Sequence, residues 1–401
     1  GRYSVADGAT LAVGNGILES QVTAMLGTGN FTSGSSLAFD TTAGDRTHAA
    51  AISGPIGLTK LGSGTLTLSG NSPYTGETVI LEGTLKLGHQ FGIGTVGGHA
   101  KGFTLKNGAF DINGQSTYIG SWLLLSPITL AGDSGAELTI AGTGGGFGLH
   151  NNLLGNEGRI IYDATNHPGT ATISAAFSTS GASGDVRRYI VVGDSAATDV
   201  EIDFTGTLGQ TGVSDGRNTT IQKEGPGTMR ISAANYFPRI EVAGGVLIAN
   251  HNQALGVSRT GDGGSVNRVT LAGGTLQAGG ADRSYAAAVS LSESTTSTIS
   301  GDDVNLTLSG NISGAGHLVK SGTKNLTLSG SNSYTGNTSI NQGMLSIRTT
   351  ASLPGWNAAS RYSVADGATL TVGTGVAEAQ VTDMLETGNF QAGSRLGFDT
   401  T

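Results

Sequence analysis

This sequence predicts an all-β chain wound from short strands between glycine corners, and three observations predict it. Glycine fills 68 of 401 positions, about 17% against roughly 7% in ordinary usage, while Asp, Glu, Lys and Arg supply 12% against about 25%. Apolar and polar residues alternate over stretches of three to five, the period of a strand with one face buried. The same strand-and-corner texture also recurs along the chain. Collagen is excluded, because glycine keeps no three-residue period and proline numbers only 7. With 37% hydrophobic residues and sparse charge, the chain folds rather than staying expanded.

The elements follow in order. Leu66 and Leu68 alternate with Thr65, Thr67 and Ser69, and Gly70 ends that strand. Thr78 to Leu81 forms a second strand, Glu82-Gly83 a corner, and Leu85-Lys86-Leu87 a third strand. Circuits of about 20 to 25 residues suit the coils of a β-solenoid. Asp7-Gly8, Asn107-Gly108 and Asn113-Gly114 are hairpin signals, which leave a two-sheet sandwich open as a second reading. The texture continues through 103–114, 128–132, 138–142 and 269–276, and is less regular, with longer loops, over 143–200. Ile17, Leu18, Val22, Met25 and Leu26 make the one helical stripe, echoed by Val376, Val381, Met384 and Leu385. It reads as a short helix packed over the coils, with a contact surface for another chain as the alternative.

Repeats occur at two scales. Arg2 to Thr42 matches Arg361 to Thr401 without a gap at an offset of 359, with about 30 of 41 positions identical. We therefore expect 1–359 to be one tandem unit and 360–401 the start of the next, continuous with the same solenoid and excised from a longer array. At roughly 22 residues per coil such a unit holds about 16 coils. The shorter repeat sets 58–87 against 318–347: Lys60, Leu66, Leu68, Gly70, Tyr74, Gly76, Gly83 and Leu85 meet Lys320, Leu326, Leu328, Gly330, Tyr334, Gly336, Gly343 and Leu345. A decayed third copy runs from Lys223 through Met229, Ile231 and Tyr236 to Val246 and Ile248.

The run Lys60-x-Gly62-x-Gly64-Thr65-Leu66-Thr67-Leu68-Ser69-Gly70, followed by Tyr74-Thr75-Gly76-x-Thr78 and Gly83-Thr84-Leu85, resembles the passenger-associated transport repeat of bacterial autotransporters. The resemblance implies a right-handed parallel β-helix, exported and displayed at the cell surface, with an outer-membrane β-barrel translocator elsewhere in a longer protein. It also implies repeats that assist export and folding rather than catalyse.

Chemistry is harder to find. A net charge of −8 draws the chain to neither nucleic acid nor anionic lipid. No apolar run reaches the ~18 residues of a membrane helix, since Trp122-Leu123-Leu124-Leu125 is stopped by Ser126 and Pro127. There is no cysteine for disulfides or thiolate metal sites. His48, His89, His99, His150, His167, His251 and His317 lack ligand spacing and read as solvated loop residues. Asp302-Asp303, Thr260 to Gly264, Gly92-Ile93-Gly94 and 142–146 read as turns rather than calcium or phosphate sites. No metal or cofactor is expected.

The serious enzyme test is Asp194, Asp199, Glu201 and Asp203 with Arg187-Arg188, because a β-helix can carry polysaccharide cleavage. Alternation over 200–204 puts Glu201 and Asp203 on one outward face, read as solvated. Tyr74 and Tyr334 are expected over their corners, with carbohydrate stacking as the alternative. Lys60 and Lys320 are expected as solvated or stacked coil residues. The function expected is a structural stalk or adhesin segment, self-associating through neighbouring copies of its own repeat, with carbohydrate or a host surface as candidate partners. The alternative is an extracellular polysaccharide-cleaving enzyme.

Overall fold

The computed structural model describes residues 3–96, 99–100, 102–119, 127–142, 146–149, 158–178, 186–209, 219–235, 239–256, 268–302 and 304–400. The chain forms two compact units, Gly1–Thr219 and Thr220–Thr401. Each is a parallel β-helix: successive strands visit two or three sheets in turn, and nearly all pair in parallel with a counterpart one coil away.

In the first unit, Phe103–Leu105 lies in one sheet, Gly108–Asp111 in a second and Ser116–Ile119 in a third. The next circuit repeats the visit with Ile128–Leu130, Leu138–Ala141 and Gly146–Leu149. Among the described residues one pair departs from the parallel rule, Thr95–Val96 against His99–Ala100. The two-sheet sandwich is thereby rejected. In the second unit Arg268–Leu271, Thr275–Ala278 and Arg283–Tyr285 start the same cycle, and Ala288–Leu291, Thr296–Ser300 and Leu306–Leu308 follow it.

Because side chains alternate across a strand, in-register pairing stacks the inward residues into columns. One column of the first unit reads Val13, Phe39, Lys60, Ile80, Leu105, Leu130, Tyr162, Val192. A second reads Leu66, Leu85, Phe110, Ile140, Ile173, Phe204. In the second unit the corresponding column is Met229, Leu247, Leu276, Ile299, Lys320, Ile340, Val364. All these residues are buried. A lysine thus stands in the middle of two otherwise hydrophobic columns.

Coil length departs from the expected 22 residues, from 18 between paired Thr228 and Val246 to 33 between Leu138 and Ala171. The ladder constrains only the strands, so additional residues leave at the corners, and the longest coil lies where the sequence is least regular. Strands also pair across position 359: Thr338–Ile340 with Tyr362–Val364, and Met344–Ile347 with Thr369–Val372.

Among the described residues two α-helices, α1 (Glu19–Leu26) and α2 (Glu378–Glu386), occupy equivalent places in the duplicated segment. The stripe proves narrower than its sequence: Val22 is buried in α1 and Val381 and Met384 in α2, whereas Leu18 and Leu385 are exposed. Gln21 and Gln380 accept from the backbone N–H of Leu18 and Ala377, closing the first turn of each helix. Next to α1, His48 corrects the expectation of solvated histidines. It points inward with Leu68 in its ladder, against the Phe39 ring at 5.1 Å, and neither ring nitrogen has a hydrogen-bond partner.

Burial lowers the pKa of His48, with Arg46 adding to the effect and Glu19 opposing it. A histidine held neutral in the fold takes up its proton on unfolding. Its contribution is therefore fully present above the unfolded value of about 6.5 and is lost as pH falls below it. His48→Leu is expected to raise the thermal midpoint at pH 5 by more than at pH 7.5, in melts followed by circular dichroism. An equal shift at both pH values would refute the assignment.

Candidate functional site: the buried lysine corners

The residues that define the shorter repeat lie inside the coil. Lys60 shares its inward face with Leu58 and is fully buried. Its ammonium carries three N–H donors, and each meets a backbone carbonyl: Leu61 O at 2.9 Å, Gly62 O at 2.6 Å and Glu82 O at 3.0 Å. Lys320 repeats the arrangement with Ser321 O at 2.5 Å, Gly322 O at 2.7 Å and Gln342 O at 3.0 Å. Two acceptors come from the lysine's own corner and the third from the next coil. The degenerate copy keeps the device: Lys223 donates to Gly225 O at 2.7 Å, to Gly244 O at 2.8 Å and to Gly227 O. The expectation of solvated lysines is therefore corrected.

Glycine makes the corner possible. Gly62 and Gly322 both have φ +75°, and Gly83 and Gly343 have φ +70° and +68°, a region that side-chain-bearing residues rarely adopt. They turn the carbonyls inward toward the ammonium. At Gly76 and Gly336 the reason is proximity: a Cβ would lie 2.3 Å from Gly57 N and 1.9 Å from Gly316 O. Gly64, Gly70 and Gly330 sit at comparable inter-coil approaches. Leu66, Leu68 and Leu85, and their counterparts Leu326, Leu328 and Leu345, fill the interior.

The tyrosines lie deeper than expected. Tyr74 and Tyr334 are buried, and their hydroxyls bond the buried Thr78 and Thr338 side chains at 2.6 and 2.5 Å. Burial pushes the Tyr334 hydroxyl up to about 12 and Tyr74 higher still. Neither ring is open to stack on a sugar. Thr78 and Thr338 belong to the repeat motif in the sequence, but the sequence assigned them no partner; the signal was their fixed spacing of four from a repeated tyrosine.

Of the acids tested for catalysis, two are buried and two exposed. Asp203 stands in an outward ladder with Thr172, as its alternation predicts, yet it is buried along with Glu201 and Arg188. Glu201 accepts from the Ser195 N–H at 3.0 Å, whereas Asp194 and Asp199 are exposed. The expected solvated face is thus covered: alternation reports which way a side chain points and nothing about what lies over it. Among the described residues no group of three or more His, Asp or Glu is gathered as metal ligands would be. Asp303, His150, Tyr236, Thr260 to Gly264 and Trp122 to Leu125 lie outside the described residues.

Desolvation lowers both repeat lysines to about 8, with Glu82, Asp40 and Asp45 opposing it at Lys60 and Asp302 opposing it at Lys320. A lysine whose folded pKa lies below its unfolded value of about 10.4 binds fewer protons folded than unfolded between those values. Stability is therefore expected to rise with pH from about 8 toward 10. Lys320→Met keeps the volume but leaves Gln342 O with no donor, and its expected cost near pH 7 is about 2–4 kcal/mol with a smaller alkaline rise, Lys60 keeping its own share. Urea titrations at pH 7 and 9.5 check both, and a Met variant as stable as the parent would exclude the carbonyl tripod.

Comparison with known proteins falls on these same residues. The passenger-associated-transport-repeat model matches residues 58–87 and 318–347. The adhesin BmaC autotransporter of Brucella suis biovar 1 (strain 1330) is 31% identical over 205 residues, covering 48% of this chain and 5% of that protein. The chain thus spans a small fraction of the relative it resembles. No solved structure matches it. Two stretches of this chain match the passenger-associated transport repeat, each built round a buried lysine that fastens one coil to the next.

Proposed function

We propose that this chain is part of the exported passenger of a surface-displayed autotransporter adhesin, a non-catalytic stretch whose work is to span distance and present an outer face. The observation that carries the reading is the transport repeat, found twice with the same buried corner. Its address is the cell surface, and a β-barrel translocator belongs to the longer protein. A non-catalytic role is supported by the burial of Glu201 and Asp203, which leaves only Asp194 and Asp199 of the four acids exposed. A chain that must cross a membrane unfolded needs a fold that can be rebuilt coil by coil. A lysine that completes its hydrogen bonds only when the next coil arrives gives each step a local reward.

The duplicated segment supports stacking of unit upon unit, with 1–359 as one unit and 360–401 opening the next. In the second copy the N–H groups of Thr369 and Gly373 donate to Gly343 O and Ile347 O, each at 2.9 Å, on the transport-repeat coil. Thr10 and Gly14 are their counterparts, on a strand that repeats the fold of Thr369–Val372. Another copy's repeat coil is therefore the natural partner of Thr10–Val13.

Two measurements test the reading. Joined to a signal peptide and an autotransporter barrel, the chain is expected to become accessible to protease on intact cells, and retention inside would overturn surface display. In sedimentation, the purified chain is expected to associate with rising concentration. Thr10→Pro, which removes a ladder donor, is expected to weaken that association; equal association by the variant would exclude edge stacking.

A further inference from the structure

The outward face of the first transport repeat carries a concavity of about 460 Å³. Thr47, Thr67, Lys86 and Asp111 stand side by side in one ladder, and Thr65 and Thr84 in the ladder beside it. The four threonine hydroxyls make no hydrogen bond to another described residue, although Thr65, Thr67 and Thr84 are half-buried. Lys86 Nζ faces Asp111 Oδ2 at 3.8 Å, wider than a close hydrogen bond.

The other two charged residues at the rim are structural. Asp45 Oδ1 accepts from the Thr65 N–H at 2.7 Å, and the Arg46 guanidinium donates to Gly14 O and Ile17 O at 2.7 and 2.8 Å. Asp111 Oδ1 likewise accepts from Asn113 N–H at 2.8 Å, leaving Oδ2 toward Lys86.

The second repeat serves as an internal control. Its counterparts of Thr65, Thr67 and Lys86 are Asn325, Thr327 and Ser346, and these satisfy one another: Asn325 Nδ2 donates to Thr327 Oγ1 at 3.1 Å, and Ser346 Oγ to Asn325 Oδ1 at 3.0 Å. The counterpart of Asp45 is Asn305, whose Oδ1 accepts from Asn325 N–H at 3.1 Å, so the corner bond is kept in both repeats. The repeat's scaffold therefore does not require open hydroxyls on this face. The second copy ties the outer side chains of Asn325, Thr327 and Ser346 to one another, with Thr371 Oγ1 buried and unpartnered beside them, whereas the first leaves four threonine hydroxyls unpartnered beside a wide ion pair round a hollow.

We propose that this groove of the first repeat binds a neutral, hydroxyl-rich saccharide chain lying along the ladder direction. Two acids and two bases line it, so it has no net charge, and the chain's charge of −8 disfavours polyanions. Coils succeed one another at about 4.8 Å, close to the repeat of an extended hexose polymer, so successive sugars meet successive coils. A vicinal diol fits between the ammonium, which donates, and the carboxylate, which accepts. Threonine hydroxyls, able to do both, take the hydroxyls that follow. The proposal deepens the adhesin reading and rests on it.

The test is native affinity electrophoresis of the whole chain through gels containing dextran, mannan or amylopectin, with polygalacturonate as the anionic comparison. Retardation is expected in at least one neutral gel. Lys86→Met and Thr67→Val, with unchanged circular dichroism, are expected to weaken it about tenfold, while Thr327→Val on the closed face leaves it unaltered. Absence of retardation in every neutral gel, retardation by polygalacturonate alone, or retardation that neither groove variant reduces would each overturn the proposal. Failure here with protease-accessible display intact removes the groove and leaves the surface reading standing, whereas failure of display removes the surface reading itself.

Discussion

In-register parallel stacking is the constraint from which the rest of this structure follows. A strand of three to five residues cannot bury a face alone, and its backbone groups are satisfied only by the strand one coil away. Register then decides content. Once Leu66, Leu85, Phe110 and Ile140 are paired in sequence, each inward position must accept the residue above and below it. A one-residue slip would turn the whole column outward, which is why alternation survives where the polar residues drift. The same logic sets the aromatic contacts: Phe147 and Phe177 are ladder partners and their rings stand 5.1 Å apart.

Against that background an interior lysine needs an account. A buried ammonium without partners would shed its proton or unfold the site, and replacing it by an apolar residue of similar volume is often neutral in other folds. Here the tight corner creates the need. Glycines at φ near +70° turn carbonyls into the core; Leu61 O and Ser321 O also accept from the N–H of Thr41 and Gly301, while the ammonium supplies three donors from one side chain to these and to the other corner carbonyls. Lysine and corner are thus one unit: neither is stable inside the coil without the other. The Tyr74–Thr78 and Tyr334–Thr338 pairs follow the same rule at the next corner, each burying two hydroxyls that satisfy one another.

How far this was legible in the sequence depends on which property carried each signal. Period-two alternation placed Leu66, Leu68, Leu85 and their counterparts inside, because burial and alternation have the same cause. Lys60 was legible too, though charge hid it. It stands two residues after Leu58, as Lys320 does after Leu318 and Lys223 after Ile221, so parity assigns all three inward. Charge is a strong prior for exposure only when no carbonyls await it, and a sequence does not display where carbonyls point. Asp203 fails in the opposite way: its outward direction was correct, but what covers it is set by tertiary context. His48, one residue out of phase with Thr47 on a short strand, carried the same parity signal and was overlooked for the same reason as the lysines.

These two kinds of misreading divide the repeat into an inside and an outside with different freedoms. Inward positions answer to the neighbouring coil, so two copies 260 residues apart keep lysine, tyrosine, threonine and leucine in place. Outward positions are not held by the stacked interior. Thr65 becomes Asn325, Thr84 becomes Met344 and Lys86 becomes Ser346 with no change in the ladder beneath them. Conservation of the inner set therefore says little about what the protein recognises; it reports what the coil needs in order to exist. Recognition has to be sought where the copies differ, and the difference that leaves hydroxyls unpartnered over a hollow is the one that the scaffold itself does not explain.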